Sequence, residues 1–235
     1  MKKIFCFALI LSVLLTTALC AACGEDKNSS DDALATIRNW QSTYTAGEFG
    51  IRSKSNPFVE ITLDTEETIR LELYPTVAPR SVENFITYVK EGFYEGVAFH
   101  RIIQGMMIQT GGFEVKEDAY VHKDPTHAAI KGEFYANGVN NTLAHTRGVI
   151  SMARTSIKDS ATSQFFICSA VYPSLDGQYA AFGRVIDLES MAVVDRLEKL
   201  ETHDEIIYYG EQGVNSSDVP VTRVTIKKAT LVWDR

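Results

Sequence analysis

From Phe58 onward the chain consists of short runs in which apolar and polar residues alternate, and this pattern limits the possible folds more than any other feature. Because successive side chains of a strand point to opposite faces, such alternation predicts half-buried β-strands. Phe58 to Leu63 and Ile69 to Leu73 are the first two, joined by the polar hairpin loop Asp64 to Glu67. The later β-type runs are Val97 to Ile103, Met106 to Gln109, Gly148 to Ala153, Gln164 to Ser169, Ala181 to Val185 and Val221 to Val232.

Two isolated apolar stripes with helical spacing interrupt these runs. The first consists of Val82, Phe85, Ile86 and Val89, and the second of Leu188, Met191, Val194 and Leu197. Each stripe predicts one amphipathic helix. A repeated βαβ unit would alternate strands and helices throughout, so the pattern favours a mainly β fold: a closed barrel capped by two α-helices, in one domain over residues 58–235.

The N-terminus is typical of an export signal. Two lysines follow Met1, and the next 19 residues, Ile4 to Ala22, carry no charge. The end of this stretch, Leu19 to Gly24, resembles the bacterial lipoprotein signal, in which small residues precede a cysteine that is lipidated. We therefore expect a signal peptide over residues 1–22, lipid on Cys23, and an extracytoplasmic protein tethered to the cell membrane. An uncleaved transmembrane anchor and simple secretion are the alternatives, and each of them also exports the domain.

Residues 23–57 are expected to form a polar spacer between the lipid and the folded domain. The near-helical spacing of Leu34, Ile37, Trp40 and Tyr44 leaves open whether part of this spacer packs on the domain. The chain has 23 basic and 30 acidic residues, and removal of Lys2 and Lys3 with the signal would take the net charge from −7 to −9. An acidic chain is a poor ligand for nucleic acid, which we do not expect as a partner.

Motif searches remove several common enzyme classes. The sequence lacks the Gly-rich nucleotide loops, the zinc-protease HExxH, the hydrolase GxSxG and the redox CxxC. His122, Asp124 and His127 lie close together, but a solvated loop explains them better than a metal site, and no metal is expected. Three of the four cysteines fall within the first 23 residues, so a disulfide framework is excluded and Cys168 is expected to pack as a small apolar side chain.

One β-type run carries an unexpected charge. Arg101 should point to the same side as Phe99 and Ile103, where an unpaired guanidinium would be costly to bury. It therefore needs either a structural ion partner or a functional use. In the second case Arg101 and Gln109 would rim an apolar pocket, and the sequence leaves both possibilities open. The pocket would be made by Met106, Met107 and the Phe165-Phe166 pair.

The same region resembles the cyclophilin family, and the similar motifs follow one order over three quarters of the chain. They are Val77 to Phe85, Phe99 to Gln109, Asn141 to Gly148, Ser151 to Thr155, Asp159 to Ile167, Leu175 to Gly177 and Phe182 to Val185. The form of the Asn141 to Thr155 motifs is similar to the bacterial branch. The resemblance implies an eight-stranded antiparallel barrel closed by two helices, with peptidyl-prolyl cis-trans isomerase activity in an outer groove and no cofactor.

Carried over position by position, the resemblance implies a catalytic role for Arg101. It places Met107, Phe166 and Leu175 in the proline pocket, and His100, Gln109, Ala153 and Gln164 along the rest of the groove. Three further groove positions depart from the family pattern: Met106 replaces a phenylalanine, Arg154 an asparagine and Tyr179 a histidine. The segment Glu114 to Ala128 has no clear counterpart and is expected to shape the groove rim.

The implied function is acceleration of X-Pro isomerisation during the folding of exported proteins, by a monomer whose partners are proline-containing polypeptides. The alternative is a binding module or holdase for proline-containing segments, in which isomerisation is incidental. The tether, the altered pocket and the Glu114 to Ala128 segment are the reasons to keep this alternative open.

Overall fold

The computed structural model describes residues 55–233, so the expectations for the signal, for Cys23 and for most of the spacer lie outside the described residues. Twelve strands and two α-helices follow one another in this part of the chain. They are β1 (Phe58–Leu63), β2 (Thr68–Leu73), α1 (Pro79–Lys90), β3 (Arg101–Ile103), β4 (Met107–Thr110), β5 (Phe113–Lys116), β6 (Ala119–His122), β7 (Val149–Met152), β8 (Phe165–Cys168), β9 (Ala181–Val185), α2 (Leu188–Glu198), β10 (Thr202–Tyr209), β11 (Gln212–Pro220) and β12 (Ile226–Trp233).

Eight strands form one antiparallel sheet in the order β12-β1-β2-β9-β7-β8-β4-β3. The mainly β class, the first hairpin and both helices are thus confirmed. The two outer strands, β12 and β3, share no ladder, but the chain segments at their starts hydrogen-bond to each other. Phe99 donates its N–H to the carbonyl of Val224 (3.0 Å), and Ile226 donates to the carbonyl of Val97 (2.8 Å). Closure of the sheet into a barrel stays a prediction that these bonds support.

The main core lies on one face of this sheet, beneath the two helices. Phe85 of α1 is fully buried, and its ring contacts those of Tyr94, Phe165 and Phe182 with centroids 5.1–5.4 Å apart. Such tilted and edge-to-face pairs add to the stabilisation from apolar burial. Along β4 and β8 it is Ile108 and Ile167 that join this core, so their neighbours in sequence must face the opposite side.

A carboxylate from a distant part of the chain accepts hydrogen bonds from the first N–H groups of α1. The helix begins at Pro79, and no side chain caps it locally. Instead buried Glu133 accepts hydrogen bonds from the N–H groups of Arg80 (3.0 Å) and Ser81 (2.8 Å), and from the Ser81 hydroxyl (2.7 Å). These are donors that a helix N-terminus leaves unpaired, and a negative charge there is favourable. Among residues 55–233, no helix has the length and apolar character needed to cross a bilayer.

A second, four-stranded sheet lies beside the first in the order β11-β10-β6-β5. Its small apolar cluster contains Ala98, Phe113, Tyr120, Ile207 and Val219. The sequence analysis was wrong to leave residues 202–220 without strands and to begin the last strand at Val221, since β12 begins at Ile226. The Glu114 to Ala128 segment contributes most of the β5–β6 hairpin, which belongs to this second sheet.

Candidate active site

A pocket of about 150 Å³ opens on the face of the eight-stranded sheet opposite the main core. It draws on β3, β4 and β8, on the residues after β7, and on the short 3₁₀ helix Pro173–Leu175 with the residues that follow. The lining residues are Arg101, Met106, Met107, Gln109, Ala153, Arg154, Phe166, Leu175 and Tyr179. Nine of the eleven residues that the sequence analysis placed in or around the groove therefore lie together here.

Strand register explains the apolar floor of the pocket. In the antiparallel β4–β8 pair, Met107 lies opposite Cys168 and Gln109 lies opposite Phe166. Directly opposed residues point to the same face, so these four side chains share the face turned away from the main core. Met107, Phe166, Cys168 and Leu175 form a separate buried cluster. This floor is apolar and of a size to receive a small ring.

Cys168 lies at the bottom of this floor as a packing residue. Its side chain is fully buried and free of disulfide bonds. Burial raises the pKa of the thiol to about 12, with a smaller contribution from the negative charge of Asp176. A thiol that stays protonated is a poor nucleophile, so the expectation that Cys168 packs as a small apolar residue is confirmed.

Arg101 stands at the polar edge of the pocket. It lies opposite Gln109 in the β3–β4 pair, and both side chains line the pocket. The guanidinium side chain is 41% exposed, and its Nη2 lies 3.5 Å from Oδ2 of Asp218 on β11. The sequence offered either an ion partner or a pocket role for this arginine, and the structure gives it both. Asp218 was not among the predicted site residues.

Gln109 is supported from behind by Gln164. The Gln109 Nε2 donates to Oε1 of Gln164 at 2.9 Å. Gln164 lies against Gly112, where a Cβ atom would stand 2.3 Å from its Nε2, so only glycine allows this approach. Gln164 does not line the pocket; it holds a side chain that does.

His100 also lies outside the pocket lining. Its ring is buried and packs on Phe113, with centroids 4.6 Å apart, and its Nδ1 has no hydrogen-bond partner among residues 55–233. Burial lowers the pKa of His100 to about 4, and the nearby positive charge of Arg101 acts in the same direction. The ring is therefore neutral at neutral pH and joins the two sheets as a packing residue.

Behind Phe166 lies a hydrogen-bonded trio that the sequence analysis missed. The ring of His145 contacts Oδ1 of Asp176 through Nδ1 (2.9 Å) and the hydroxyl of Ser151 through Nε2 (3.0 Å). His145 and Ser151 are buried beneath the pocket floor, so no substrate can reach the hydroxyl. The His145 ring stacks on Phe166 at 6.1 Å. The trio therefore fixes the floor. His145 and Ser151 are six positions apart, whereas Asp176 lies 31 positions after His145.

A stacked arginine closes the rim of the pocket. The Arg154 guanidinium lies 4.5 Å from the ring centroid of Tyr179 and 5.2 Å from that of Phe134. Its Nη2 also donates to the carbonyl of Gln178 at 3.0 Å. Cation–π stacking of this kind is worth about 0.5–1 kcal/mol at exposed sites. Two of the three departures from the family pattern, Arg154 and Tyr179, thus contact each other.

Two further histidines each contact a carboxylate. Nδ1 of His122 lies 3.1 Å from Asp124, whereas Nε2 of His127 lies 2.7 Å from Glu91 of α1. Over the described range, no three His, Cys, Asp or Glu side chains form a group that could hold a metal ion. A larger cleft of about 500 Å³ runs between α1 and residues 127–131, but it is more open and includes none of the predicted site residues.

Comparison with known proteins agrees with this geometry. Residues 58–231 match the family model described as cyclophilin type peptidyl-prolyl cis-trans isomerase/CLD. A peptidyl-prolyl cis-trans isomerase of Acinetobacter baylyi is 45% identical over 166 residues, covering 68% of this chain and 80% of the relative. Isomerase B of Escherichia coli is 38% identical and covers 69% of this chain and 93% of the relative.

Solved structures show the same fold. A crystal structure of a cyclophilin type peptidyl-prolyl cis-trans isomerase from Cryptosporidium parvum superimposes with a TM-score of 0.56 at 23% identity, and the match covers 77% of this chain and 99% of that chain. A second structure of the same protein, obtained in the presence of the dipeptide Ala-Pro, gives a TM-score of 0.55.

Proposed function

This chain belongs to the family of cyclophilin-type peptidyl-prolyl cis-trans isomerases, and from that premise we propose that its pocket holds the proline ring of the substrate while Arg101 acts on the X-Pro peptide bond. The proposal rests on one observation: an apolar floor and the partly exposed guanidinium of Arg101 lie in the same pocket. The Ala-Pro dipeptide used with the Cryptosporidium parvum protein supports the same class of ligand.

The residue types suit the reaction. Rotation about a peptide bond has a barrier of about 18–20 kcal/mol, because resonance gives the C–N bond partial double-bond character. No bond is broken, so the site needs only to favour the twisted amide. A donor that hydrogen-bonds the prolyl nitrogen or the carbonyl oxygen does this, and each ~1.4 kcal/mol of preference for the twisted state gives a tenfold rate gain.

Arg101 meets this need better than a neutral donor would. A guanidinium remains charged at all relevant pH values and presents several N–H donors in one plane. Met107, Phe166 and Leu175 would hold the pyrrolidine ring by burying its apolar surface, while the part of the substrate before the proline rotates. Gln109, held by Gln164, would fix the substrate carbonyl or the guanidinium. His100 would support Arg101 through packing rather than through contact with substrate.

We further propose that the protein works outside the cytoplasm as a monomer, bound to the membrane through lipid on Cys23, where it accelerates folding of exported proteins. The support is the sequence pattern of residues 1–24. An intact-mass measurement on protein extracted from membranes tests the tether. The expected result is a chain that starts at an acylated Cys23. An unmodified Cys23, or a chain that still contains residues 1–22, would contradict the tether.

The second candidate function is a binding module for proline-containing segments. The four-stranded sheet favours this second function because it exposes apolar side chains to which a polypeptide could bind. These are Ile206, which is 52% exposed, Tyr209 and Val214. Complementation separates the two functions. In a strain that lacks the gene and shows a folding defect in exported proteins, Arg101→Ala should fail to restore folding if turnover matters. Full rescue by this variant would instead favour the binding module.

A further inference from the structure

The carboxylate nearest to Arg101 comes from the second sheet. Asp218 lies on β11, and its Oδ2 is 3.5 Å from Nη2 of Arg101. Within residues 55–233 it is the only acidic group that forms an ion pair with this arginine. The side chain of Asp218 is 37% exposed, so it remains in contact with both water and the guanidinium. It does not line the pocket itself.

A β-bulge puts Asp218 in this position. In the β10–β11 pair, His203 lies opposite Val219 and Glu205 lies opposite Ser216. Two residues of β11, Ser217 and Asp218, therefore face one residue of β10. An extra residue of this kind bends the strand and redirects a side chain, and bulges are common next to active sites.

The backbone of Asp218 is strained. Its φ angle is +62°, in the left-handed region that residues with a Cβ rarely adopt. Three other non-glycine residues among those described have positive φ, and these are Glu66, Glu117 and Asp118, which all lie in hairpin turns. Of these four residues in the described part of the chain, Asp218 is the one that has this conformation inside a strand. Strain at a single strand position is typical of functional sites, where the surrounding structure maintains it.

The neighbouring residues maintain this conformation. Val219 follows Asp218 and is fully buried in the apolar cluster with Ala98 and Phe113. Ala98 precedes β3 by three residues, so the chain segments that carry Arg101 and Asp218 are anchored in the same cluster. Packing thus fixes the two backbone segments from which the charged side chains extend.

We propose that Asp218 is a positioning residue of the isomerase, which holds the Arg101 guanidinium at the pocket edge in the orientation that the twisted amide requires. At 3.5 Å the contact is longer than the ~2.7–2.9 Å of a charge-assisted hydrogen bond, so Asp218 attracts the guanidinium without occupying its donors. The remaining N–H groups stay available to the substrate. This inference rests on the proposed catalytic role of Arg101.

The test is a double-mutant cycle with Asp218→Asn and Arg101→Ala, read as kcat and KM on an X-Pro peptide by NMR exchange, which resolves weak turnover. Asparagine keeps the shape of aspartate and tolerates positive φ, so Asp218→Asn removes only the charge. Glu66→Gln is the matched control, because Glu66 also has positive φ (66°) and pairs with another cation, Lys227, outside the pocket lining.

We expect Asp218→Asn to lower kcat about three- to fivefold, the effect of losing one partly exposed ion pair, with KM within about twofold of wild type. Glu66→Gln should leave both constants unchanged. In the Arg101→Ala background, Asp218→Asn should cause no further loss, because its effect passes through the guanidinium.

The kinetic outcomes distinguish a failure of the positioning role of Asp218 from a failure of the catalytic role of Arg101. Wild-type or raised kcat in Asp218→Asn, together with large loss in Arg101→Ala, would overturn the positioning role and leave the role of Arg101 intact. An equal loss from Asp218→Asn in both backgrounds would show a general structural effect and would also overturn it. Wild-type turnover in Arg101→Ala would overturn the role of Arg101 and the inference together.

Discussion

The two sheets of this isomerase are stabilised in different ways. The eight-stranded sheet covers a large core in which aromatic rings from α1, β8 and β9 contact one another. Among residues 55–233, the four-stranded sheet has an apolar cluster of five buried residues, and ion pairs add to it as they do to the large sheet. Arg223 contacts Glu205 at 2.6 Å and Asp118 at 3.2 Å, and it lies over the ring of Tyr120.

The two sheets, which differ in the size of their apolar clusters, also contribute different groups to the pocket. The large sheet provides the floor and the guanidinium, which in the proposed mechanism must be held rigidly to discriminate a twisted amide from a planar one. The small sheet provides one carboxylate at the edge. The small apolar cluster of the four-stranded sheet is sufficient to place this carboxylate. At 3.5 Å the charge of Asp218 orients the Arg101 guanidinium without close packing between the two side chains.

Phe85→Ala should damage the large core severely. Removing a fully buried ring that contacts three others is expected to lower the free energy of unfolding by about 3–5 kcal/mol, from lost burial and a residual cavity. Urea denaturation monitored by circular dichroism measures it. A loss below about 1 kcal/mol would mean that this core is less tightly packed than the ring contacts indicate.

His100 should make stability depend on pH, because it packs between the two sheets. Its pKa of about 4 in the folded state lies below the ordinary value of 6.5, so the unfolded chain takes up the proton first as the pH falls. Stability is therefore lost from about pH 6.5 downward, and the loss is complete near pH 4. This group alone should contribute about 2 kcal/mol of loss between pH 8 and pH 5.

The check is denaturation at both pH values for wild type and His100→Gln. Burial also lowers the pKa of His145, which contributes in the same direction and remains in the variant. The variant should therefore show a smaller, not zero, difference between the two pH values. An identical difference in both proteins would show that His100 is protonated in the folded state as easily as in the unfolded chain.

Val219→Ala should be milder than Phe85→Ala. It removes two methyl groups from the small cluster, which is worth about 1.5 kcal/mol of unfolding free energy. The same denaturation experiment measures it. A loss equal to that of Phe85→Ala would mean that the small cluster is packed as tightly as the main core, and the distinction between the two would be false.

Arg154→Ala should affect only the rim. Loss of stacking on Tyr179 is expected to raise KM about two- to threefold with kcat unchanged, since the floor and Arg101 stay in place. Steady-state kinetics on an X-Pro peptide measures both constants. Arg147→Ala, which removes an exposed arginine that pairs with Asp195 away from the pocket, serves as control. A fall in kcat for Arg154→Ala would place this residue closer to the chemistry than its position at the rim indicates.

The sequence predicted the large sheet because its strands alternate clearly and its helices have apolar stripes such as Val82, Phe85 and Val89. The resemblance to the cyclophilin family supplied the nine lining residues of the pocket, which are spread between positions 101 and 179 of the chain. The sequence did not predict the small sheet, because β11 reads as a polar, Ser- and Asn-containing loop whose exposed residues show no alternation. A strand of that composition is specified by its partner β10 rather than by its own pattern.

Two features of the site could not be predicted from local patterns. Asp218 reaches Arg101 because of a bulge and a left-handed backbone, and neither has a distinctive sequence signal. The His145 and Asp176 pair joins residues 31 positions apart behind the pocket floor. Both depend on tertiary contacts between segments that are distant in the chain. The resemblance placed His100 and Gln164 along the groove, but neither lines the pocket, and Gln164 instead holds Gln109 from behind.

The role of Arg101 is tested most directly by comparing turnover and binding in Arg101→Ala. Isomerisation of an X-Pro peptide is followed by NMR exchange, and peptide affinity is measured by titration on the same sample, with circular dichroism as a check of folding. Turnover should fall about 100-fold or more, while affinity stays within about threefold, because the apolar floor is unchanged. Wild-type turnover in a folded Arg101→Ala protein would contradict the assignment of Arg101 as the group that stabilises the twisted peptide bond.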